Sequence, residues 1–523
     1  MLAFHYRGAG DLDAALRCHR RAAEAAMRVS ALPEAIQHLD AATAIAAGLA
    51  LPLGDPAAVD LFLLRGTVRA RTGEFAGARE DLERALEGAR SSSIADAEMR
   101  ALNELGFLLA GATDYRQAVP LLEEALGKAK EMGDRRSEAL TLSRLSIVHT
   151  NLLDLDLALR EGRRALDLAS QGGDEGAVAS ALDAIEVASV MLGDFETVDE
   201  VAPRLADIHR KRGDLWYLQY AIFQWCWGPI ARGEWDVALR RLDEAQEIAR
   251  RIGDRGPEPL YDAVRCWLHR SRGEYRLALE TGRRSVTLAD DLGHTEWQTW
   301  TRSQLGRALL EVGAVDEAAD VVEKGLETAG RSGSWIQQVR SSGLLALARW
   351  RLGEVEQALD LAGRTEEMLS GVTAPPGMAY LQGADAPIAA AEVLVELGEL
   401  DRAERLVRRV LSAAERCGWH EVVAGANLVL ATCGEALGDL PRASLAAGLA
   451  LRAAANIPGT AWRAHAMLAR LRRAEGRNDE AETHAAKARS VSDGLCAGID
   501  DDSIRQSFTA LVGSELEGSR RDG

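Results

Sequence analysis

Apolar residues recur at intervals of three and four along most of the chain. In the segment that follows Gly233 they fall at Ala238, Leu242, Ala245 and Ile248. This spacing places them on one face of an α-helix and leaves the opposite face polar. Two such segments of about 17 residues fill every 40 residues of the chain. Each of them predicts an amphipathic helix about 25 Å long.

A glycine turn separates these segments and returns on a fixed period of 40 residues. The period is marked at Gly73, Thr113, Leu153, Gly193, Gly233, Gly273, Gly313 and Gly353. A second glycine turn follows midway through the period, as at Gly253. Glycine just after a helix supplies the left-handed cap, and the acidic residue that follows favours the start of the next helix. Because self-similarity at a fixed period indicates a repeat protein, the sequence predicts an array of helical hairpins.

Small side chains occupy equivalent positions in successive hairpins. The second helix carries the column Ala78, Ala118, Ala158, Val198, Ala238, Ala278, Ala318, Ala358, Ala403, Ala443 and Ala481. Twelve residues earlier, the first helix carries Gly66, Gly106, Ser146, Cys226, Cys266, Gly306, Ala346, Ala391, Ala431 and Ala469. Small residues at both positions let two helices approach closely and pack without voids. Glu186 is the exception in the first-helix column, and the pattern gives no reason for it.

The same columns resemble the tetratricopeptide repeat (TPR). A large residue follows the alanine of the second helix after four positions and a further alanine three later, as at Ala238, Leu242 and Ala245. The period is 40 residues instead of about 34, and the usual proline at the end of the second helix is absent. This longer form resembles the repeats in the C-terminal arms of maltose-regulator-like and STAND-class signalling ATPases. The resemblance implies an all-α fold, a right-handed α-solenoid of about twelve TPR-like hairpins.

The N-terminal part of the chain predicts an array that starts within a repeat. Residues 1–50 predict N-terminal helices with an incomplete first repeat, in which Ala3 takes the small-residue position of a first helix. Residues 51–370 predict the main array with its 40-residue period. The open first half-unit favours a fragment of a longer protein. In the family that the chain resembles, the upstream part would be a nucleotide-binding module.

The array is predicted to break once before it ends. Residues 371–385 include Pro375 and Pro376 between glycines and predict a hinge loop, because proline cannot continue a helix. Residues 386–492 predict further TPR-like units. Residues 493–523 lose the repeat and predict a capping helix followed by a disordered tail.

Composition and motifs exclude several classes of function. The formal net charge of −18 argues against a nucleic-acid partner. No apolar run reaches the roughly 18 residues of a membrane-spanning helix, and the six dispersed cysteines fit a reducing compartment, so a cytoplasmic location is predicted. The sequence lacks GxxxxGK[ST], HExxH and GxSxG motifs. We therefore predict no enzymatic activity, no catalytic residue, no cofactor and no metal.

Aromatic residues are distributed unevenly, and nine of the eleven tryptophans lie between Trp216 and Trp350. In TPR-like arrays the first helix lines the concave surface. Its inward positions in most repeats are polar, at Asp60, Thr67, Arg100, Ser143 and Asp183. In adjacent later repeats, together with a nearby arginine, they are Tyr220, Phe223, Trp227, Trp267, Trp300 and Arg307. Because buried aromatic anchors dominate recognition, these six predict a concave binding patch. The alternative is that the rings pack together as core.

Three functions follow from these observations. The first is a non-catalytic scaffold that binds a protein, a peptide or a small-molecule effector, as the sensor or interaction arm of a bacterial signalling ATPase or transcriptional regulator. The second is a free-standing TPR adaptor that assembles a protein complex. The third is a TPR-containing regulator of an enzyme. The sequence identifies neither the ligand nor the oligomeric state.

Overall fold

The computed structural model describes residues 2–111, 114–370 and 383–517. Every regular element in these ranges is an α-helix, and consecutive helices pack against each other. The predicted all-α, TPR-like hairpin fold is therefore confirmed. The chain divides into two compact units: unit 1 is Met1–Trp225 with Arg241–Pro257, and unit 2 is Cys226–Arg240 with Glu258–Gly523. This division falls within the predicted main array, and the predicted domain boundaries stay predictions.

Unit 1 holds twelve complete helices in its described residues. They are α1 (Leu2–Gly8), α2 (Leu12–Arg28), α3 (Leu32–Gly48), α4 (Pro56–Arg71), α5 (Phe75–Ser91), α6 (Ala95–Gly111), α7 (Tyr115–Met132), α8 (Arg135–Asn151), α9 (Leu155–Gly172), α10 (Glu175–Leu192), α11 (Phe195–Arg212) and α12 (Leu215–Gln224). From α4 to α12, the even-numbered helices are the first helices of their repeats. Alanine and leucine side chains from facing helices form the core, with Leu82, Ala85, Leu102 and Leu122 all fully buried.

Unit 2 continues the alternation of first and second helices, but here the odd-numbered helices are the first helices of their repeats. Its helices are α13 (Trp227–Arg232), the first turns of α14 (Trp235–Ile252), α15 (Glu258–Ser271), α16 (Tyr275–Leu292), α17 (Thr295–Glu311), α18 (Val315–Ser332), α19 (Trp335–Arg351), α20 (Val355–Ser370), α21 (Asp385–Glu396), α22 (Leu400–Cys417), α23 (His420–Ala436), α24 (Leu440–Ala453), α25 (Pro458–Ala474), α26 (Asn478–Ala497) and α27 (Asp502–Glu517). The predicted hinge residues Gly371–Gly377, with Pro375 and Pro376, and the tail after Glu517 lie outside the described residues.

The turns have the chemistry that the sequence predicts. Gly173 and Gly193 have φ of 66° and 74°, in the left-handed region that favours glycine. The aspartates that follow cap the next helices, and Asp194 accepts a hydrogen bond from the backbone N–H of Thr197 at 3.1 Å. Leu153 takes the glycine position in one repeat and has the same left-handed backbone, with φ of 64°.

The small-residue columns mark the closest approach of the two helices in each hairpin. A Cβ atom added at Gly66 would lie 2.7 Å from the Cγ of Leu82, and one added at Gly106 would lie 2.8 Å from the Cγ of Leu122. At Ser146 the hydroxyl donates a hydrogen bond to the carbonyl of Ala158 at 2.7 Å. The predicted close packing is confirmed.

In several repeats the size of the side chain sixteen residues after the first-helix column compensates for the size of the column residue, although Cys226 is followed by Leu242. Leucine or valine follows the glycines at 66, 106 and 306, whereas Gly162 follows Ser146 and Gly282 follows Cys266. A Cβ atom on Gly282 would lie only 3.0 Å from the Cys266 Sγ. Glu186 is followed by the small Ala202 in the same way. This relation accounts for the volume of Glu186 but not for its charge.

The first helix of one repeat is broken at Trp225, between α12 and α13. Pro229 has no N–H, so the Trp225 carbonyl, four residues earlier, has no helical donor. Arg241 donates to that carbonyl at 2.5 Å, and its guanidinium lies 3.8 Å from the centre of the Trp225 ring. The two compact units divide at this break.

Candidate functional site

Three of the predicted site residues come together in unit 2. The ring centres of Trp227 and Trp267 are 5.8 Å apart, and those of Trp227 and Trp300 are 6.4 Å apart. A fourth ring, Trp419, lies 6.4 Å from Trp227 and 5.8 Å from Trp267. We call these four residues the Trp cluster. Their exposed fractions are only 0–3%, which is the arrangement expected of the packing alternative.

A buried group of charges adjoins the Trp cluster. Arg270, which is 2% exposed, lies 2.7 Å from Glu311 and 2.7 Å from Glu421. Glu421 also accepts a hydrogen bond from the Trp267 indole at 2.7 Å. Burial raises the pKa of Glu421, and the charge of Arg270 offsets only part of that rise. Arg307, the fourth predicted residue in unit 2, lies 3.3 Å from Glu311 within the same charged group.

The other two predicted residues, Tyr220 and Phe223, belong to unit 1. Phe223 is 3% exposed and therefore part of the packing. Tyr220 is half-buried, with its ring centre 5.0 Å from that of Trp216. The binding role of all six predicted residues stays a prediction. Trp419 and Trp216 are not among the six predicted residues, because each reaches these rings from outside the aligned inward positions.

Unit 1 holds a second group of side chains on its first helices, and this group is more open. The indole of Trp216 donates a hydrogen bond to the carbonyl of Arg71 at 3.3 Å. The Arg71 guanidinium lies 5.4 Å from the centre of the Trp216 ring and 5.5 Å from that of Tyr217. Both distances are within the range of cation–π attraction. The last turn of α4 is thus joined to the first turn of α12.

An ion pair lies beside these rings. Arg144 on α8 contacts Glu104 on α6 at 2.6 Å and lies 4.8 Å from the centre of the Phe107 ring. The Thr67 hydroxyl on α4, which donates to the Leu63 carbonyl at 2.9 Å, lies 3.4 Å from the same glutamate. We call this set the Arg71 cluster: Thr67, Arg71, Arg100, Glu104, Phe107, Arg144, Trp216 and Tyr217. Apart from the exposed Arg100, all of these residues are half-buried.

The electrostatics indicate that three guanidinium groups surround one carboxylate. Burial alone would raise the pKa of Glu104, but the charges of Arg144, Arg71 and Arg100 outweigh burial and lower it. Glu104 is therefore ionised at neutral pH. Arg100 extends the charged surface along the first helices, where it lies 3.7 Å from Asp60.

A neutral histidine supports one edge of the Arg71 cluster. The His209 ring stacks on Tyr217, with centres 5.4 Å apart and an angle of 11° between the planes. Burial lowers the pKa of His209 to about 4, so the ring is uncharged at neutral pH. It holds Tyr217 in place without adding a positive charge.

The polar inward positions predicted in unit 1 have different environments. Asp60 and Thr67 are half-buried and Arg100 is exposed, as a solvated surface requires. Ser143 is buried, and its hydroxyl donates to the Ala139 carbonyl at 2.9 Å. Asp183 is half-buried, and burial raises its pKa to about 7.

Five residues of the Arg71 cluster are not among the predicted site residues: Arg71, Glu104, Arg144, Trp216 and Tyr217. The sequence nevertheless carries one signal for part of this set. Residues of opposite charge stand one repeat apart in the sequence: Arg144 follows Glu104 by 40 residues. Residues one period apart lie side by side on neighbouring first helices. Charge pairing at the repeat period could therefore have identified the ion pair before the structure.

A separate cleft of about 750 Å³ lies in unit 2 beside the turn at Gly233. The Trp235 indole donates to the Asn456 carbonyl at 2.7 Å at its edge, and Arg272 contacts Asp236 at 2.5 Å. Both cations and carboxylates line it, so its charge favours neither sign of ligand.

Two classes of site are absent from the described part of the chain. No group of three or more His, Cys, Asp or Glu side chains there could hold a metal ion. No helix in the same ranges is long and apolar enough to cross a membrane.

No family model matches this sequence, and no curated protein matches it. Among solved structures, a Rap protein complexed with the competence and sporulation factor is 13% identical. That match covers 77% of this chain and 98% of the Rap chain, with a TM-score of 0.41. The Rap conjugation gene regulator of the plasmid pLS20, in complex with a peptide, is 12% identical; the match covers 70% of this chain and 98% of that one, with a TM-score of 0.45.

A STAND protein with a tetratricopeptide repeat sensor, from Pyrococcus horikoshii, is 13% identical. That match covers 72% of this chain and 53% of the STAND chain, with a TM-score of 0.32. The chain resembles TPR repeat proteins. That resemblance rests on the hairpins, the small-residue columns and the turns described above. At these identities and TM-scores the neighbours carry no argument about what this chain binds.

Proposed function

We propose that the chain is a non-catalytic scaffold that binds a protein or a peptide on the Arg71 cluster of unit 1. One observation carries this proposal: aromatic and charged side chains from α4, α6, α8 and α12 converge there but are only partly buried. Rings held at a partly open surface supply contact area, and fixed charges supply specificity. In unit 2, the positions equivalent to Thr67, Phe107 and Arg100 hold the packed rings of Trp227, Trp267 and Trp300.

We further propose that this scaffold is the cytoplasmic sensor or interaction arm of a bacterial signalling ATPase or transcriptional regulator. The support is the 40-residue TPR-like period, which resembles the repeats of such arms. Neither nucleic acid nor a membrane is part of this proposal. The DNA upstream of Met1 tests it, because an in-frame nucleotide-binding module favours the arm and a nearby stop codon favours a free-standing adaptor.

The binding site is tested by selection from a library of random twelve-residue peptides on the intact chain. Thr67→Trp fills the surface between Arg71 and Glu104 and should weaken every selected peptide at least tenfold. Glu80→Trp is the matched control, because it places the same ring on the exposed face of α5. Fluorescence polarisation measures both.

Two results would count against the proposal. One is a library that yields no peptide with measurable affinity for the intact chain. The other is a set of selected peptides that bind the Thr67→Trp protein as tightly as the parent protein.

A further inference from the structure

Arginines outnumber carboxylates within the Arg71 cluster, although the protein as a whole is acidic. The chain carries a formal net charge of −18. In the cluster, however, Arg71, Arg100 and Arg144 give three positive charges against the one negative charge of Glu104. Two further carboxylates, Asp60 and Asp96, lie 3.7 Å from Arg100 at the edge of the cluster. The cation that none of these carboxylates contacts is Arg71, and a local positive charge attracts ligands of the opposite sign.

Arg71 differs from the other arginines of its own helix. Arg65 contacts Asp81 at 2.6 Å, and Arg69 contacts the same carboxylate at 2.8 Å. Across the described residues, by contrast, Arg71 has no carboxylate within 4 Å. Its guanidinium is placed against two aromatic rings instead, which restricts its rotamers without using its N–H donors.

A guanidinium held in this way is preorganised to bind a carboxylate. Its planar group has five N–H donors and recognises a carboxylate through two parallel hydrogen bonds. Because the rings of Trp216 and Tyr217 already hold it, less side-chain entropy is lost when a ligand binds. Arg100, on the neighbouring first helix, is exposed, and its contacts with Asp60 and Asp96 are both long, at 3.7 Å. Exchange of such weak contacts for a ligand carboxylate costs little.

We infer that the partner of the Arg71 cluster is an acidic peptide segment whose carboxylates bind Arg71 and Arg100. This inference rests on the proposed binding function and adds the chemical class of the ligand. Arg144 is excluded from direct recognition, since Glu104 already occupies it at 2.6 Å. The aromatic rings of Phe107 and Trp216 lie beside the arginines and would contact apolar or aromatic residues of the same segment.

The test uses three fluorescein-labelled peptides on the full chain in 50 mM NaCl. The first has the sequence Gly-Glu-Glu-Trp-Glu-Glu-Gly, and the others replace every Glu by Gln or by Lys. The Glu peptide should bind at least tenfold more tightly than either relative. Its affinity should fall at least tenfold in 500 mM NaCl, because salt screens charges at a partly exposed surface.

Two double variants assign the effect to the Arg71 cluster. Arg71→Gln with Arg100→Gln should weaken the Glu peptide at least tenfold. Arg79→Gln with Arg84→Gln removes the same total charge from the exposed face of α5 and should change the affinity less than twofold. Arg71→Lys keeps the charge but loses the planar fork and should give an intermediate loss. Thermal melting checks the fold, and the single Arg100→Gln variant, at an exposed site, replaces the double variant if that does not fold.

Three outcomes would overturn the inference: equal binding of the Glu and Gln peptides, tighter binding of the Lys peptide, or equal losses in the two double variants. If any of these occurs while Thr67→Trp still blocks library-selected peptides, the acidic ligand is wrong and the binding surface stands. If the library also yields nothing, the proposed function fails as well.

Discussion

The Trp cluster of unit 2 and the Arg71 cluster of unit 1 use equivalent positions of the repeat. Trp227 and Trp267 stand at the position that Thr67 and Phe107 occupy in earlier repeats, and Trp300 stands at the position of Arg100. The rings are 1–3% exposed, whereas Thr67 and Phe107 are half-buried and Arg100 is exposed. The position in the repeat sets the direction of a side chain. Whether that side chain belongs to the core or to the surface depends on which other residues of the same unit pack against it.

In unit 2, other residues of the same unit cover the Trp cluster. Trp419 completes the Trp cluster, and Glu421, two residues later, binds both Trp267 and Arg270. In unit 1, Trp216 and Tyr217 contact Arg71 but leave part of the cluster exposed. Substitutions in the two clusters should therefore differ in their effect on stability and on binding.

The largest effect is expected from Trp227→Ala. The ring is 1% exposed, so its removal leaves a cavity and should lower the free energy of unfolding by about 3–5 kcal/mol. Trp216→Ala in unit 1 should cost only about 1–2 kcal/mol, because that ring is half-buried. Urea denaturation measures both. A loss below about 1 kcal/mol for Trp227→Ala, with loss of ligand binding, would instead support the predicted binding patch.

The next largest effect is expected from Arg270→Ala. This change leaves Glu311 and Glu421 buried beside each other without their shared cation. Removal of one member of a buried ion pair typically costs about 3–5 kcal/mol, because the remaining charge is uncompensated. Arg100→Ala, at an exposed site in unit 1, should change stability by less than about 1 kcal/mol. Equal effects at the two sites would contradict the contrast between a sealed and an open cluster.

A substitution of Glu186, in unit 1, should have an effect of intermediate size on stability. Its carboxylate is 0% exposed, and neither of its oxygens has a hydrogen-bond partner in the described structure. Burial, followed by the charge of Asp183, raises the pKa of Glu186 well above its ordinary value. Glu186→Ser supplies the residue that Ser146 provides one repeat earlier. It should raise the free energy of unfolding at pH 8 by about 1–3 kcal/mol, because an unpaired buried polar group is removed.

The pH dependence of that gain follows from the direction of the pKa shift. Below the unfolded-state pKa of roughly 4.3, Glu186 is protonated in both the folded and the unfolded state. Folding then carries no free-energy cost for burying a charged carboxylate. As the pH rises above this value, the unfolded chain loses the proton first and the native protein loses stability. The advantage of Glu186→Ser over the parent should therefore grow from about pH 4.3 upward to the folded-state pKa. A difference that does not change with pH would mean that the carboxyl is not the cause.

The parts of the fold that could be predicted are those in which each repeat determines its own structure. Gly66 and Leu82 belong to one hairpin, so the 40-residue pattern contains both sides of the contact. The Trp cluster is different, because Glu421 meets Trp267 across 154 residues of chain. That contact depends on how successive hairpins rotate against each other, and small differences accumulate over several repeats. The sequence therefore indicated which side chains point inward but not which of them would be covered.

The smallest effect concerns the feature that both units share, the glycine turn. Leu153 stands where other repeats have glycine and holds a left-handed backbone, with φ of 64°, against about 76° at Gly313 in unit 2. A side chain in this region is strained by about 1 kcal/mol, and the larger backbone freedom of glycine in the unfolded chain offsets part of the gain.

Leu153→Gly should therefore raise the free energy of unfolding by about 0.5–1 kcal/mol. Leu152→Gly is the control, because that neighbouring leucine is exposed and has a right-handed backbone, with φ of −79°, whereas Leu153 is half-buried. It should be neutral or lower stability by up to about 1 kcal/mol. Equal effects of the two changes would mean that the turns are not interchangeable between repeats, and the equivalence on which the two clusters are compared would then be lost.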